Sequence, residues 1–428
     1  MKIIISLLLV IFLISGIQPV SGQPANKKSD PFISAVVKKR IDSMLSNFID
    51  EGKTAGLSAL IFEKGKEVYF NAFGYADKEA NVRMNRSTIV RIFSMTKPVT
   101  GVALMTLYEK GAFQLDDPLA KYAPEFSNMQ VYKGVDANGK IMLEPARRPI
   151  TIRDITRHTA GFPGTDIPAL ATLVKNADAF NPNNSLTQMA AKLASVPLQF
   201  HPGDEWLYGP SVDVQAYLVE RISGKPFDQY IQEIILDPLG MIHTHYVVPE
   251  KDKKQFAAIY FRSNEGALSR VPDEQASTFN LKNWKLKPGG WGLTSTLDDY
   301  TKFAQMLVNK GALGKVRILK PETVALMATN QLPDTLTKRS WLPGKGNVGF
   351  GIDFAVRVGP PASREETNGA TGEFYWDGAA STLFWVDPVN EITAVLFTQL
   401  FPYDQVKLHK TFRDAVYGVY SPSTAKNK

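Results

Sequence analysis

The segment Ile92-Phe93-Ser94-Met95-Thr96-Lys97-Pro98 opens an apolar run in which Val99, Val102, Met105 and Leu107 recur at helical spacing. The pattern predicts a helix from Ser94 to Lys110, closed by Gly111, with Pro98 early enough to be tolerated. Residues three apart share one helix face, so the Lys97 amine is within reach of the Ser94 hydroxyl. At a helix start the Ser94 N–H also lies at the positive end of the macrodipole. A lysine held in dry surroundings beside other positive groups can lose its proton and activate a serine as nucleophile. The plain alternative is an N-capping serine beside a solvated lysine. A second Ser-x-x-Lys string, Ser423 to Lys426, falls in a polar tail where no pocket forms.

Reading outward, apolar residues from Pro31 to Glu51 recur at helical spacing. Gly56 to Phe62 and Glu67 to Phe73 read as strands joined by a turn at Lys64-Gly65-Lys66. Between about Leu115 and Asn280 helix patterns and Pro/Gly/Asn loops dominate, with Leu186 to Leu193 and Val212 to Ile222 the clearest helices. Asp136-Ala137-Asn138-Gly139 is a hairpin-like tip within a turn-rich stretch from Tyr132 to Arg148. Strands return at Gly349 to Val358, Thr382 to Asp387 and Ile392 to Thr398, followed by a helix from about Tyr403 to Tyr417. Strands at both ends with helices between predict an α/β (α+β) fold. One discontinuous domain is built from residues 31–114 and 281–420, around an inserted, mainly helical domain at 115–280.

The 428 residues are 44% hydrophobic and 21% charged, an ordinary balance for a chain that buries a core. The formal net charge of +7 is scattered, with no basic block of the kind a nucleic-acid surface needs. Met1-Lys2, the apolar run Ile3 to Ile14 and small residues up to Gly22 have the layout of a secretory signal peptide at 1–22. A polar linker at 23–30 follows, and a polar tail ends the chain at 421–428. The mature protein is thus expected to be periplasmic or secreted, without a stable membrane anchor. With no cysteine, disulfides, thiol nucleophiles and thiolate metal sites are excluded together. His243-x-His245 is the one close histidine pair, too little for a metal centre without acidic partners. G-x-S-x-G, which a Ser-His-Asp hydrolase of the α/β type would carry, is absent. No cofactor is implied, and the oligomeric state is open.

Several blocks in order resemble the class C β-lactamase-like serine hydrolases, with the esterase-like branch nearest. They begin with Ser94-Met95-Thr96-Lys97-Pro98 and Leu115-Asp116-Asp117-Pro118, then Pro149 to Ile155 and His158-Thr159-Ala160-Gly161-Phe162. Phe200-His201-Pro202-Gly203-Asp204-Glu205-Trp206-Leu207-Tyr208, Asp237 to Met241 and Gly290 to Thr296 continue the series, which spans Ser34 to Tyr417. The resemblance implies an antiparallel sheet flanked by helices. It implies Ser94 as nucleophile, Lys97 as its partner and Tyr208 as general base, the lysine bringing the phenol into range. His158 is read as a loop-stabilising residue rather than a catalytic one.

The family's usual Lys-Thr-Gly or His-Thr-Gly is missing. The corresponding stretch, Tyr375-Trp376-Asp377-Gly378-Ala379-Ala380, resembles the Trp-Gly-Gly variant of the esterase-like branch. Gly378 permits a close backbone approach there, and the N–H groups of Ser94 and Ala379 would form an oxyanion hole. Trp376, Asp377 and Gly378 are the candidate substrate-binding residues. After Tyr208-Gly209, Pro210 stands where class C β-lactamases carry an asparagine that contacts the substrate amide. Trp376 brings no cation for a substrate carboxylate, and an Asp377 facing the pocket would repel one. The expected activity is therefore hydrolysis of small uncharged esters, with a small-molecule ester or amide as the only partner. The alternatives are a β-lactamase or D-alanyl-D-alanine carboxypeptidase, and a binding protein without catalysis.

Overall fold

All five residues of the strand Leu383–Asp387 are buried, and neighbours along it are taken up by opposite layers. The Phe384 ring lies 4.9 Å from Tyr300, and the Trp385 ring 5.4 Å from Phe412. Successive strand side chains point to opposite faces, so a strand covered on both sides reads as an unbroken apolar run. In the computed structural model, which describes residues 30–421 apart from 277 and 341, this strand belongs to an eight-stranded antiparallel sheet. In chain order the strands are β1 (Gly56–Glu63), β2 (Lys66–Asp77), β3 (Val82–Arg83), β4 (Val348–Phe350), β5 (Ala355–Arg357), β6 (Phe374–Asp377), β7 (Leu383–Asp387) and β8 (Ile392–Thr398). Across the sheet they run β4-β5-β6-β7-β8-β1-β2-β3. The two halves of the chain meet where β8 pairs with β1, Leu60 opposite Val395.

Five helices frame the site: α1 (Ala35–Asp50), α2 (Thr96–Glu109), α3 (Ser211–Ser223), α4 (Leu297–Val308) and α5 (Leu408–Tyr417). Helices α1 and α5 pack on each other, and α5 brings Phe412 to the Trp385 face. Helix α4 covers β1, β7 and β8 and brings Tyr300 to the other face. Helix α2 is buried from Thr96 to Leu107. A helix apolar all round belongs in a protein's centre, and α2 lies there against α3. Between α2 and β4, the chain from 115 to 280 is mainly helical, with two short antiparallel pairs, Gln130–Val135 against Ile141–Pro145 and Tyr260–Arg262 against Leu268–Arg270. The stretch expected to be a signal peptide at 1–22, all of the expected linker except residue 30, and the tail beyond residue 421 lie outside the described residues.

Three elements differ from the sequence reading. The single strand from Gly349 to Val358 is instead the β4–β5 hairpin, because Asp353 adopts a left-handed backbone (φ 59°) and turns the chain. The last helix begins at Leu408 rather than Tyr403, since Lys407 just before it is left-handed (φ 52°). Ser94 sits not in α2 itself but in a one-turn 3₁₀ segment, Phe93–Met95, that feeds α2. Phe93 is left-handed (φ 45°), a conformation costing a non-glycine residue about 1–3 kcal/mol. That sharp entry sets Ser94 at the open end of the buried helix.

Candidate active site

Lys97 is 5% exposed, and its ammonium donates to a side chain and to a backbone carbonyl. Nζ lies 3.2 Å from Ser94 Oγ and 2.7 Å from the Gly290 carbonyl. It also stands 4.5 Å from the centre of the Tyr208 ring. One buried cation thus touches both the serine and the tyrosine that the sequence pairs with it. Ser94 is half-buried, and its hydroxyl shares a cavity of about 360 Å³ with Tyr208, Asp377, Ala379 and Tyr403.

Tyr208 is held by a loop that two distant blocks of sequence build together. Leu207 N–H donates to the His158 carbonyl at 3.0 Å, and Gly203 N–H to Thr159 at 2.8 Å. The carboxylate of Asp154 accepts from the Thr159 hydroxyl at 2.9 Å and from Arg148 Nη2 at 3.0 Å. Burial pushes that carboxyl up, but Arg148 and Thr151 outweigh it and hold Asp154 below the ordinary carboxylate range. On the ring itself, Trp376 Nε1 donates to the Tyr208 hydroxyl at 3.3 Å. Trp206 stacks near-parallel to it, with centroids 6.2 Å apart. The fully buried His158 ring lies 4.9 Å from Tyr208, and neither of its nitrogens has a hydrogen-bond partner among the described residues. Burial and then the nearby Lys97 drive its pKa well below the usual histidine value, so it packs as a neutral ring.

The end of β6 closes the other side. A Cβ at Gly378 would lie 2.2 Å from Thr382 Oγ1 and 2.5 Å from the Ile92 carbonyl oxygen. Glycine is required there because β6 runs directly against the backbone that turns into Ser94. Gly378→Ala should therefore lower kcat by at least about tenfold. It should also destabilise the fold by about 1–3 kcal/mol, measured by steady-state kinetics and thermal melting. The Ser94 and Ala379 N–H groups donate to no protein acceptor among the described residues.

Asp377 is buried and does not face the cavity as a bare charge. It forms an ion pair with Lys345, accepts from the Tyr403 hydroxyl at 2.7 Å and lies 3.9 Å from His409 Nδ1. Burial raises its pKa, but Lys345, His409 and Tyr403 together bring it below the ordinary value. The repulsion of a substrate carboxylate expected from Asp377 is therefore cancelled by Lys345. Trp376 is fully buried and does not line the cavity; it reaches the site through the Tyr208 hydroxyl. Gly378 lies beneath Ile92, and Pro210 caps α3, its carbonyl accepting from Asp213 N–H at 3.0 Å. Lys345 and Tyr403 were missed in the sequence. Their only signals are a lysine between Gly344 and Gly346 and a tyrosine after Phe401-Pro402. Among the described residues, no three His, Asp or Glu side chains gather at metal-ligand spacing. No helix among them is long and apolar enough to cross a membrane.

A model of the beta-lactamase family matches residues 41–417. The chain belongs to that family, whose fold carries hydrolases. An uncharacterized protein of Mycobacterium tuberculosis is 34% identical over 358 residues, 82% of this chain and 88% of that one. Lovastatin esterase of Penicillium rubens is 27% identical over 407 residues, 89% of this chain and 98% of the enzyme. Among solved structures, EstCE1, described as a hydrolase with promiscuous acyltransferase activity, superposes with a TM-score of 0.74 at 26% identity. The match covers 90% of this chain and 99% of that one.

Proposed function

We propose that this chain is an exported serine hydrolase that forms an acyl-enzyme on Ser94 and acts on small uncharged esters. The observation that carries the reading is Lys97, whose ammonium stands between Ser94 Oγ and the Tyr208 ring at one cavity. Tyr208, beside that ammonium, is the general base of this reading. The phenolate takes the Ser94 proton as Oγ attacks the ester carbonyl carbon. The carbonyl oxygen becomes an oxyanion facing the Ser94 and Ala379 N–H groups, and preorganised donors of this kind contribute about 3–4 kcal/mol each. Collapse expels the alkoxide, which takes the proton from Tyr208 and leaves as the alcohol. A water then gives its proton to Tyr208, attacks the acyl carbon and releases the acid, while Ser94 regains its proton.

Preference for an uncharged ester rests on three residues. Trp376 stands where the family's usual motif would place lysine or histidine, Pro210 offers no amide donor, and the Lys345 ammonium is committed to Asp377 and Tyr403. The esterase and hydrolase relatives point the same way. With purified protein, kcat/KM for a short-chain nitrophenyl ester should exceed that for a chromogenic cephalosporin by at least about tenfold, or about 1.4 kcal/mol. Comparable values, or a preference for the lactam, would move the assignment to a β-lactamase or D,D-peptidase. Export rests on residues 1–22, and comparing the protein's N-terminus in periplasmic and culture fractions tests it.

A further inference from the structure

Beneath Lys97 lies a buried carboxylate that the proposed mechanism does not use. Asp213, 4% exposed in the first turn of α3, accepts from Gly290 N–H at 2.9 Å, and the Gly290 carbonyl in turn accepts from Lys97 at 2.7 Å. The Gly289-Gly290 pair makes this approach possible. A Cβ on Gly289 would lie 2.4 Å from the Val212 carbonyl oxygen, and one on Gly290 would lie 2.9 Å from Asp213 Oδ2. The loop is thus threaded between α2 and α3 with no room for a side chain.

We propose that Asp213 is a positioning residue for the reaction at Ser94. Acting through the Gly290 backbone, which it grips by the N–H while the carbonyl receives Lys97, it holds the Lys97 side chain in place beside Ser94. The inference rests on the Ser94 acyl-enzyme reading. The ionisable groups nearby are few. Tyr246 feels the Asp213 charge and spends its hydroxyl on the Pro288 carbonyl. Around Lys97 stand Tyr208, the neutral His158 and Asp353 from the β4–β5 turn. Burial pushes Asp353 well above its ordinary value, with Gln215 and Lys97 opposing the rise. Asp213 is raised by burial too; Lys97 and the Gly290 N–H offset part of the rise, and it stands at about 6. Above that pH it is ionised, and its carboxylate grips the Gly290 N–H and so the loop that receives Lys97. Below it, Asp213 becomes neutral and the support is lost.

The test is the pH profile of kcat/KM for a nitrophenyl ester in wild type and Asp213→Asn, with fluorophosphonate labelling of Ser94 measured on both proteins. Asparagine keeps the acceptor for Gly290 N–H and removes the charge. The wild type should lose activity on the acid side with an inflection near pH 6. The variant should lack that inflection and fall roughly tenfold in kcat/KM at neutral pH. Labelled Ser94 in both proteins with identical pH profiles overturns the role of Asp213 alone. No label on wild type overturns the underlying acyl-enzyme reading as well. Should the variant not fold, the wild-type profile decides: a flat response through pH 6 overturns the proposal.

Discussion

Ser94→Ala should lower kcat/KM for a nitrophenyl ester by at least about 10³-fold and leave the melting temperature close to that of wild type. The two effects separate because the hydroxyl contributes little to the fold. Ser94 is half-buried, and its Oγ accepts from Lys97, which retains the shorter bond to Gly290 when the hydroxyl is gone. A hydrogen bond to a charged group contributes about 1.5–3 kcal/mol where it is fully desolvated, and less at a cavity edge. The chemistry, by contrast, loses the atom that becomes acylated. Residual activity should be the slow hydrolysis that water achieves beside the oxyanion donors. Steady-state kinetics and thermal melting on one preparation measure both quantities.

Tyr208→Phe should lower kcat by about 10²–10⁴-fold, the range that a positioned acid–base group contributes. Phenylalanine keeps the ring against Trp206 and His158 and the ammonium of Lys97 over its face, so the site's shape survives. What disappears is the oxygen that receives the Trp376 indole N–H and faces the cavity. In the proposed mechanism both acylation and deacylation route a proton through that oxygen, so the loss should fall on kcat and on kcat/KM alike, with KM little changed. Rapid-quench measurement of nitrophenol release gives the acylation step directly. A variant with wild-type acylation rates would remove Tyr208 from the proton path.

Much of the fold was legible in the sequence because its strands are buried on both faces and its central helix is apolar all round. β7 and α2 announce themselves as continuous hydrophobic segments. The β4–β5 hairpin was not legible, because the turn hinges on the left-handed Asp353, and a lone aspartate tolerates that conformation without marking where the chain adopts it. Of the candidate site, Ser94, Lys97 and Tyr208 were readable from spacing and ordered motifs, and the fold brings them around one cavity. Gly378 was readable as a close backbone approach. Lys345 and Tyr403 were not, since they lie 32 and 26 residues from the Asp377 they bind and sit in loops without a periodic pattern. The buried Asp213 was hidden for a different reason. Within a helical sequence it reads as an ordinary first-turn acid, and only the packing of the Gly289-Gly290 loop reveals what it holds.

Covalent capture tests the central claim most directly. Treated with a fluorophosphonate, the folded protein should gain the mass of a single phosphonyl group. Peptide mapping should place it on Ser94, and Ser94→Ala should gain nothing. A folded protein that hydrolyses esters yet is modified at another residue, or not at all, would contradict the assignment of Ser94 as nucleophile.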